Sequence, residues 1–176
     1  TFKISPDSFF QPNPLQAEKL YTHALKLANP QSADTVFDLY CGTGTLGIVF
    51  APYVKKVIGI ELSPYAICDA EVNIQENNLS NIELLKGDVG KVLAQLNRAA
   101  DIAIIDPPRA GLDPKAIKNL LRLAPKKIVY VSCNSATQAR DLALMDDVYK
   151  VTKTQAVDMF PQTHHVENVV LLERRK

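Results

Sequence analysis

The sequence predicts an α/β domain: a mostly parallel seven-stranded sheet with an antiparallel C-terminal strand and helices on both faces. Three observations point there. From Thr35 onward, five short strand-like runs are each followed by a helical segment, and such a succession closes into a parallel sheet through right-handed crossovers. One run, Ile102-Ala103-Ile104-Ile105, is apolar at every position, as a strand covered on both faces must be. Two further runs end the chain with no helix between them, which calls for antiparallel pairing.

Each element has a local cause. Asn13 is a capping residue and Pro14 suits a first helical turn, with Leu20, Ala24 and Leu27 at helical spacing, so residues 14–28 read as a helix. Residues 35–40 form a strand ending in the glycine-rich turn Gly42-Thr43-Gly44, and residues 46–53 a short helix stopped near Pro52. A second strand covers 57–61, and Ser63-Pro64 opens a helix to about Asn77. Then follow a strand at 82–85, a helix at 89–96, the apolar strand at 102–105 and a helix opened by Asp113-Pro114. A fifth strand spans 128–131, a helix 137–144, and the last two strands 149–157 and 166–173. Thr1-Phe2-Lys3-Ile4 reads as a strand already under way without an initiator Met, which suggests a domain cut from a longer protein. No repeat or long linker divides residues 1–176, so they are read as one domain.

Composition narrows the classes. Apolar residues at 47% and charged residues at 22% exclude disordered and low-complexity chains. Twenty basic against nineteen acidic residues give a net charge of +1, which argues against nucleic-acid binding by bulk charge but leaves room for a local patch. No apolar run approaches the roughly 18 residues of a membrane span, and no charged-then-apolar leader opens the chain. Cys41, Cys68 and Cys133 fit neither a disulfide framework nor a zinc cluster. The expected setting is the reducing cytoplasm, with no metal and no membrane.

In such sheets ligands bind beyond the carboxyl ends of the strands. After the first strand, Gly42 and Gly44 let the backbone approach a ligand and present N–H groups from a helix start. With Gly47 they also satisfy G-x-G-x-x-G, so a dinucleotide is a competing ligand. Glu61, after the second strand, suits the hydroxyls of a ribose in either case, and Asp88, after the third, suits an adenine amino group. Asp38 helps to decide: a carboxylate there repels a pyrophosphate but attracts the ammonium and sulfonium of S-adenosylmethionine. After the fourth strand, Pro107-Pro108 make a stiff turn holding Asp106 at the strand tip. Arg109 occupies the place where amino methyltransferases of nucleic acids often carry a base-stacking aromatic, which counts against amino-group chemistry. Cys133 follows the fifth strand beside Asp106, near a helix start expected to lower its pKa. Cys68, on an apolar helix face, and Cys41 read as small buried hydrophobes.

These motifs resemble the RNA uracil-5-methyltransferases, which make 5-methyluridine in transfer and ribosomal RNA. The resemblance rests on Phe9-Phe10-Gln11-Pro12-Asn13, residues 38–44, residues 106–111, Val131-Ser132-Cys133-Asn134, and Asp158-Met159-Phe160-Pro161 through Glu167, in order along essentially the whole chain. It implies a Rossmann-like class I methyltransferase fold, with S-adenosylmethionine contacted by Gln11, Tyr40, Glu61, Asp88 and Asp106. It also implies that Phe9 packs against the target base, Cys133 is the nucleophile and Glu167 the base. The chemistry needs those types: a thiolate adding to C6 makes C5 nucleophilic enough to take a methyl group, and a base must then remove the C5 proton. Asp106 orients either the pyrimidine or the cofactor amine, and the residues leave both open. Relatives carry RNA-binding segments upstream, and some an iron–sulfur cluster.

Other features are weaker. His164 and His165 lack a partner at ligand spacing and read as a loop lining the site. Arg140 is either a substrate contact or a residue closing a helix turn. Arg109, Lys115, Lys118, Arg122, Lys126 and Lys127, against the single acid Asp113, form either an RNA-facing patch or a solvated helix face. The competing functions are a class I methyltransferase with another substrate, a non-catalytic cofactor- or RNA-binding domain, and, more distantly, a dinucleotide oxidoreductase.

Overall fold

A computed structural model describes residues 2–3, 13–163 and 166–175. The elements run α1 (Pro14–Ala28), β1 (Thr35–Leu39), α2 (Thr45–Phe50), β2 (Lys56–Glu61), α3 (Pro64–Glu76), β3 (Ile82–Lys86), α4 (Val89–Gln95) and β4 (Ile102–Ile105). They continue with α5 (Pro114–Leu123), β5 (Lys127–Ser132), α6 (Ser135–Ala143), β6 (Tyr149–Val157) and β7 (Glu167–Arg174). The seven strands lie in the order β3-β2-β1-β4-β5-β7-β6. β1 to β5 are parallel to one another, and β7 is antiparallel to both neighbours. The predicted architecture is therefore present. Two details differ: α6 begins at Ser135, where the Asn134 side chain accepts from the N–H groups of Ala136 and Thr137, and Phe2 and Lys3 are not in a strand. Lys3 is instead tied to the buried Asn73 side chain, which accepts from the Lys3 N–H and donates to its carbonyl.

Strand periodicity divides the core between the two faces. Phe37, Leu39, Ala103, Ile105, Ile128, Tyr130, Val170 and Leu172 pack with residues of α4 and α5 such as Leu93, Ala116 and Leu120. The alternate residues Val36, Ile102, Ile104, Val129, Val131, Val169 and Leu171 pack under Ala17, Leu20 and Ala24 of α1. Continuing the second parity to the strand ends carries Asp38, Asp106, Cys133 and Glu167 to the α1 side of the sheet. Because β7 runs antiparallel, its first residue lies at the same end as the last residues of β1 to β5.

The β4–α5 loop is anchored by one buried carboxylate. Asp141 Oδ2 accepts from the Leu112 N–H and the Tyr130 hydroxyl, both at 2.7 Å, and Oδ1 accepts from Arg140 Nε at 2.9 Å. Arg140 Nη2 donates to the Ala110 carbonyl at 2.9 Å. The loop passes so close that a Cβ on Gly111 would lie 2.5 Å from Asp141 Oδ2, and φ there is +77°. Gly111→Ala is therefore expected to cost about 1–3 kcal/mol by straining the backbone and pushing the loop off its anchor. A urea midpoint equal to that of the wild type would show that the loop is not held there.

Candidate active site

The order of the strands reverses between β1 and β4, and the crevice opens at their carboxyl ends. Tyr40 leaves β1 with φ +63°, Gly42 with +53° and Gly44 with +81°, so the turn folds back into α2. A Cβ on Gly42 would meet nothing within 4 Å, so this face of the turn is open to a ligand. Glu61, ending β2, is held by two N–H groups, from Gly42 at 3.0 Å and Ser63 at 2.7 Å, and each oxygen keeps acceptor capacity. Asp88 caps α4, accepting from the Lys91 N–H at 3.0 Å through one oxygen. The Tyr40 hydroxyl is kept protonated by burial and by the neighbouring charges of Asp113, Asp88 and Asp141.

The floor of the crevice is lined with carboxyl groups. Asp38 is 1% exposed and accepts one hydrogen bond, from the Gly47 N–H at 2.8 Å. Burial, opposed by that bond and reinforced by Glu61, lifts its pKa from 3.8 to about 7. Asp106 is lifted to about 8, first by desolvation and then by Glu167 and Asp38. No lysine or arginine pairs with either among the described residues. Asp38 is buried and Asp106 half-buried, and two poorly solvated carboxyl groups without a counter-ion among the described residues fit a cationic ligand, since a positive charge beside them favours the ionised form of both. Tyr21 of α1, which the sequence did not single out, lies near this floor: burial first, then the charges of Asp106, Asp38 and Glu167, raise its pKa. Its only signal was its place on α1; the strand parity needed to connect it was not visible until α1 was docked.

Cys133 lies just past β5, half-buried, on the wall of a cavity of about 520 Å³ shared with Arg109, Asn134, Ser135, Ala156, Val166 and Asn168. Its pKa is raised, not lowered as its helix-start position predicted: desolvation comes first and the Glu167 charge second, against the opposing Arg109 guanidinium. Asn134 already caps the α6 N–H groups, which removes much of their pull on the sulfur. Glu167 is 5% exposed, and burial raises its pKa despite Arg109. The pairing Ser132↔Asn168 brings the two adjoining residues, Cys133 and Glu167, to the same corner. Arg109 is thus the cation facing both, its carbonyl held by the Asn134 and Thr137 side chains.

The remaining assignments separate. Phe9, Gln11, His164 and His165 lie outside the described residues. Arg140, exposed, pairs with Asp141 and donates to the Ala110 and Leu112 carbonyls. Cys41 is buried, but Cys68 is exposed, contrary to expectation: α3 buries Ala66, Ile67, Ala70 and Asn73, and position 68 falls outside that face. The basic cluster also divides, with Arg122 donating to the Leu93 and Leu96 carbonyls, Lys126 paired with Asp101 and Lys127 donating to the Ala28 carbonyl. Arg109, Lys115 and Lys118 remain exposed. Among the described residues no three metal-binding side chains cluster, and no helix is long and apolar enough to cross a membrane.

The family model for tRNA (uracil-5-)-methyltransferases matches residues 1–175. The chain belongs to that family. It is 55% identical over 176 residues to an uncharacterized RNA methyltransferase of Protochlamydia amoebophila, covering 97% of this chain and 40% of that protein. It is 50% identical to another uncharacterized RNA methyltransferase, from Caldanaerobacter subterraneus, covering 98% of this chain and 39% of the relative. Among solved structures, the Pyrococcus abyssi tRNA (uracil-54, C5)-methyltransferase in complex with S-adenosyl-L-homocysteine superposes with a TM-score of 0.85 at 39% identity, over 97% of this chain and 41% of that one. The chain thus spans about two-fifths of the length of these relatives.

The raised carboxylates of this family member make stability depend on pH. Between the ordinary value of 3.8 and the folded values of about 7 and about 8, the native state holds protons that the unfolded chain has released, so stability falls as pH rises through that window. Asp38→Asn keeps the acceptor for Gly47 and removes the charge. It is expected to flatten the slope and to raise the melting temperature of the ligand-free protein at pH 8.5 by about 2–4 °C. An unchanged slope would acquit Asp38.

Proposed function

We propose that this domain transfers a methyl group from S-adenosylmethionine to C5 of a uridine in tRNA or rRNA through a covalent bond between Cys133 and C6. The observation that carries the reading is the corner where Cys133, Glu167 and Arg109 meet, next to an anionic crevice that wants a cation. Family membership and the Pyrococcus abyssi neighbour support it. S-adenosylmethionine, when bound, supplies an electrophilic methyl group on a sulfonium centre and leaves as a neutral thioether.

The protein's own groups divide the work. Asp38 and Asp106 hold the cationic end of the cofactor, Glu61 the ribose, and Asp88 the adenine edge. Tyr40, Gly42 and Gly44 shape the turn that receives it, and Gln11 and Phe9 complete the contacts to cofactor and base. The thiol of Cys133 releases its proton to solvent through the open cavity, and the Arg109 guanidinium offsets the burial that opposes ionisation. The sulfur adds to C6, breaking the 5,6 double bond and placing its electron pair on C5 and the C4 carbonyl. C5 takes the methyl group. Glu167 then removes the C5 proton, the double bond re-forms and the Cys133–C6 bond breaks to return the thiolate. A carboxylate with a raised pKa is a stronger base for that step. A uracil must leave its stack to reach this corner, and Arg109, Lys115 and Lys118 provide positive charge for the RNA backbone.

RNA containing 5-fluorouridine tests this reading, because no proton can leave C5 and the adduct cannot resolve. The full-length protein with cofactor should form a protein–RNA band that survives denaturation, and Cys133→Ala should abolish it. A band persisting in that variant reassigns the nucleophile. With ordinary RNA, Glu167→Gln should transfer one methyl group and then accumulate as the covalent complex, with turnover down by about 10²–10⁴-fold. Normal turnover would remove Glu167 as the base.

A further inference from the structure

The relative placement of Cys133 and Glu167 rests on a narrow join. The last ladder pair between β5 and β7 is Ser132↔Asn168. Beyond it Cys133 has no ladder partner, and Glu167 has one only on its other side, Val157 of β6. Strand ends of this kind open most readily. A buried side chain reinforces this one. Gln138, on α6 and 1% exposed, donates from Nε2 to the Tyr130 carbonyl of β5 at 3.0 Å and to the Asn168 carbonyl of β7 at 3.2 Å. Its Oε1 accepts from Asn168 Nδ2 at 2.7 Å. Asn168 Oδ1 in turn accepts from the Thr154 hydroxyl of β6 at 3.0 Å. One amide therefore ties together the strand before Cys133, the helix after it and the strand that Glu167 begins, and a second amide extends the tie to β6. Tyr130 packs with the core face opposite α1, and Gln138 reaches the join from α6, while Asn168 also borders the Cys133 cavity.

We propose that Gln138, acting through Asn168, is a positioning residue that keeps Glu167 in register with Cys133 and so governs the last steps, loss of the C5 proton and release of the thiolate. This rests on the function proposed above. Nucleophilic addition needs Cys133 at the target, whereas resolution needs both groups on one ring at once. A small slip of β7 therefore penalises resolution more than addition.

The test uses the full-length protein and total RNA tritiated at uracil C5, with methyl transfer and tritium release followed in a single turnover. Gln138→Met, close in shape but without the hydrogen bonds, is expected to slow tritium release at least about fivefold relative to methyl transfer. Methylated RNA should build up as a denaturation-resistant complex, while cofactor affinity stays within about twofold of the wild type. The exchange Gln138→Asn with Asn168→Gln, which keeps an amide pair across the join, should restore release. Asn168→Ser gives the same readout if the methionine variant does not fold. Parallel losses of methyl transfer and tritium release, or release at the wild-type ratio, would overturn the positioning role. Absence of any adduct between the wild-type protein and 5-fluorouridine RNA would instead overturn the function on which it rests.

Discussion

The proposed chemistry of this domain depends on one antiparallel pairing inside a mostly parallel sheet. Had β7 run with its neighbours, Glu167 would stand at the opposite end of the molecule from Cys133. Reversing the strand puts its first residue against the carboxyl end of β5. Strand parity then turns both side chains toward α1, together with Asp38 and Asp106. A thiol and three carboxyl groups thus converge without any of them being close in the chain.

Convergence has an electrostatic cost. Asp38, Asp106 and Glu167 are all pushed toward protonation by burial, and Glu167 helps to hold the Cys133 thiol protonated. Read as a stability problem, the pocket is unfavourable. For a cationic ligand it is pre-organised, because the desolvation has already been met in folding and only the missing charge need be added. Among the described residues Arg109 is the cation that faces the thiol and Glu167, and the fold invests heavily in its loop: the Asn134 and Thr137 side chains hold its carbonyl, and Asp141 with Arg140 anchors the following residues.

Much of this was legible in the chain. Alternation and apolar runs located all seven strands, and cap residues such as Asn13, Ser63 and Asp113 marked helix starts that the side-chain bonds reproduce. The glycine turn, Asp38, Asp106 and Cys133 stood out because each lies at or just past a strand end, and strand tips are where such sheets bind ligands. What misled was any inference needing a neighbour from elsewhere. The Cys133 pKa was judged from the adjacent helix start, while burial and Glu167 control it. Whether Arg122, Lys126 and Lys127 formed an RNA-facing patch or a solvated helix face stayed open in the chain, and distant carbonyls and Asp101 engage them.

The linear chain thus settled which segments become strands and helices, and which residue types stand at their tips, because those depend on period, capping and turn chemistry within a few positions. It could not settle what faces what. The approach of Tyr21 to the crevice, the junction of β5 and β7 through Gln138 and Asn168, and the raised pKa values of the clustered acids arise from groups far apart in sequence. Desolvation and hydrogen bonding between such groups exist only once the sheet has closed and the helices have docked on it.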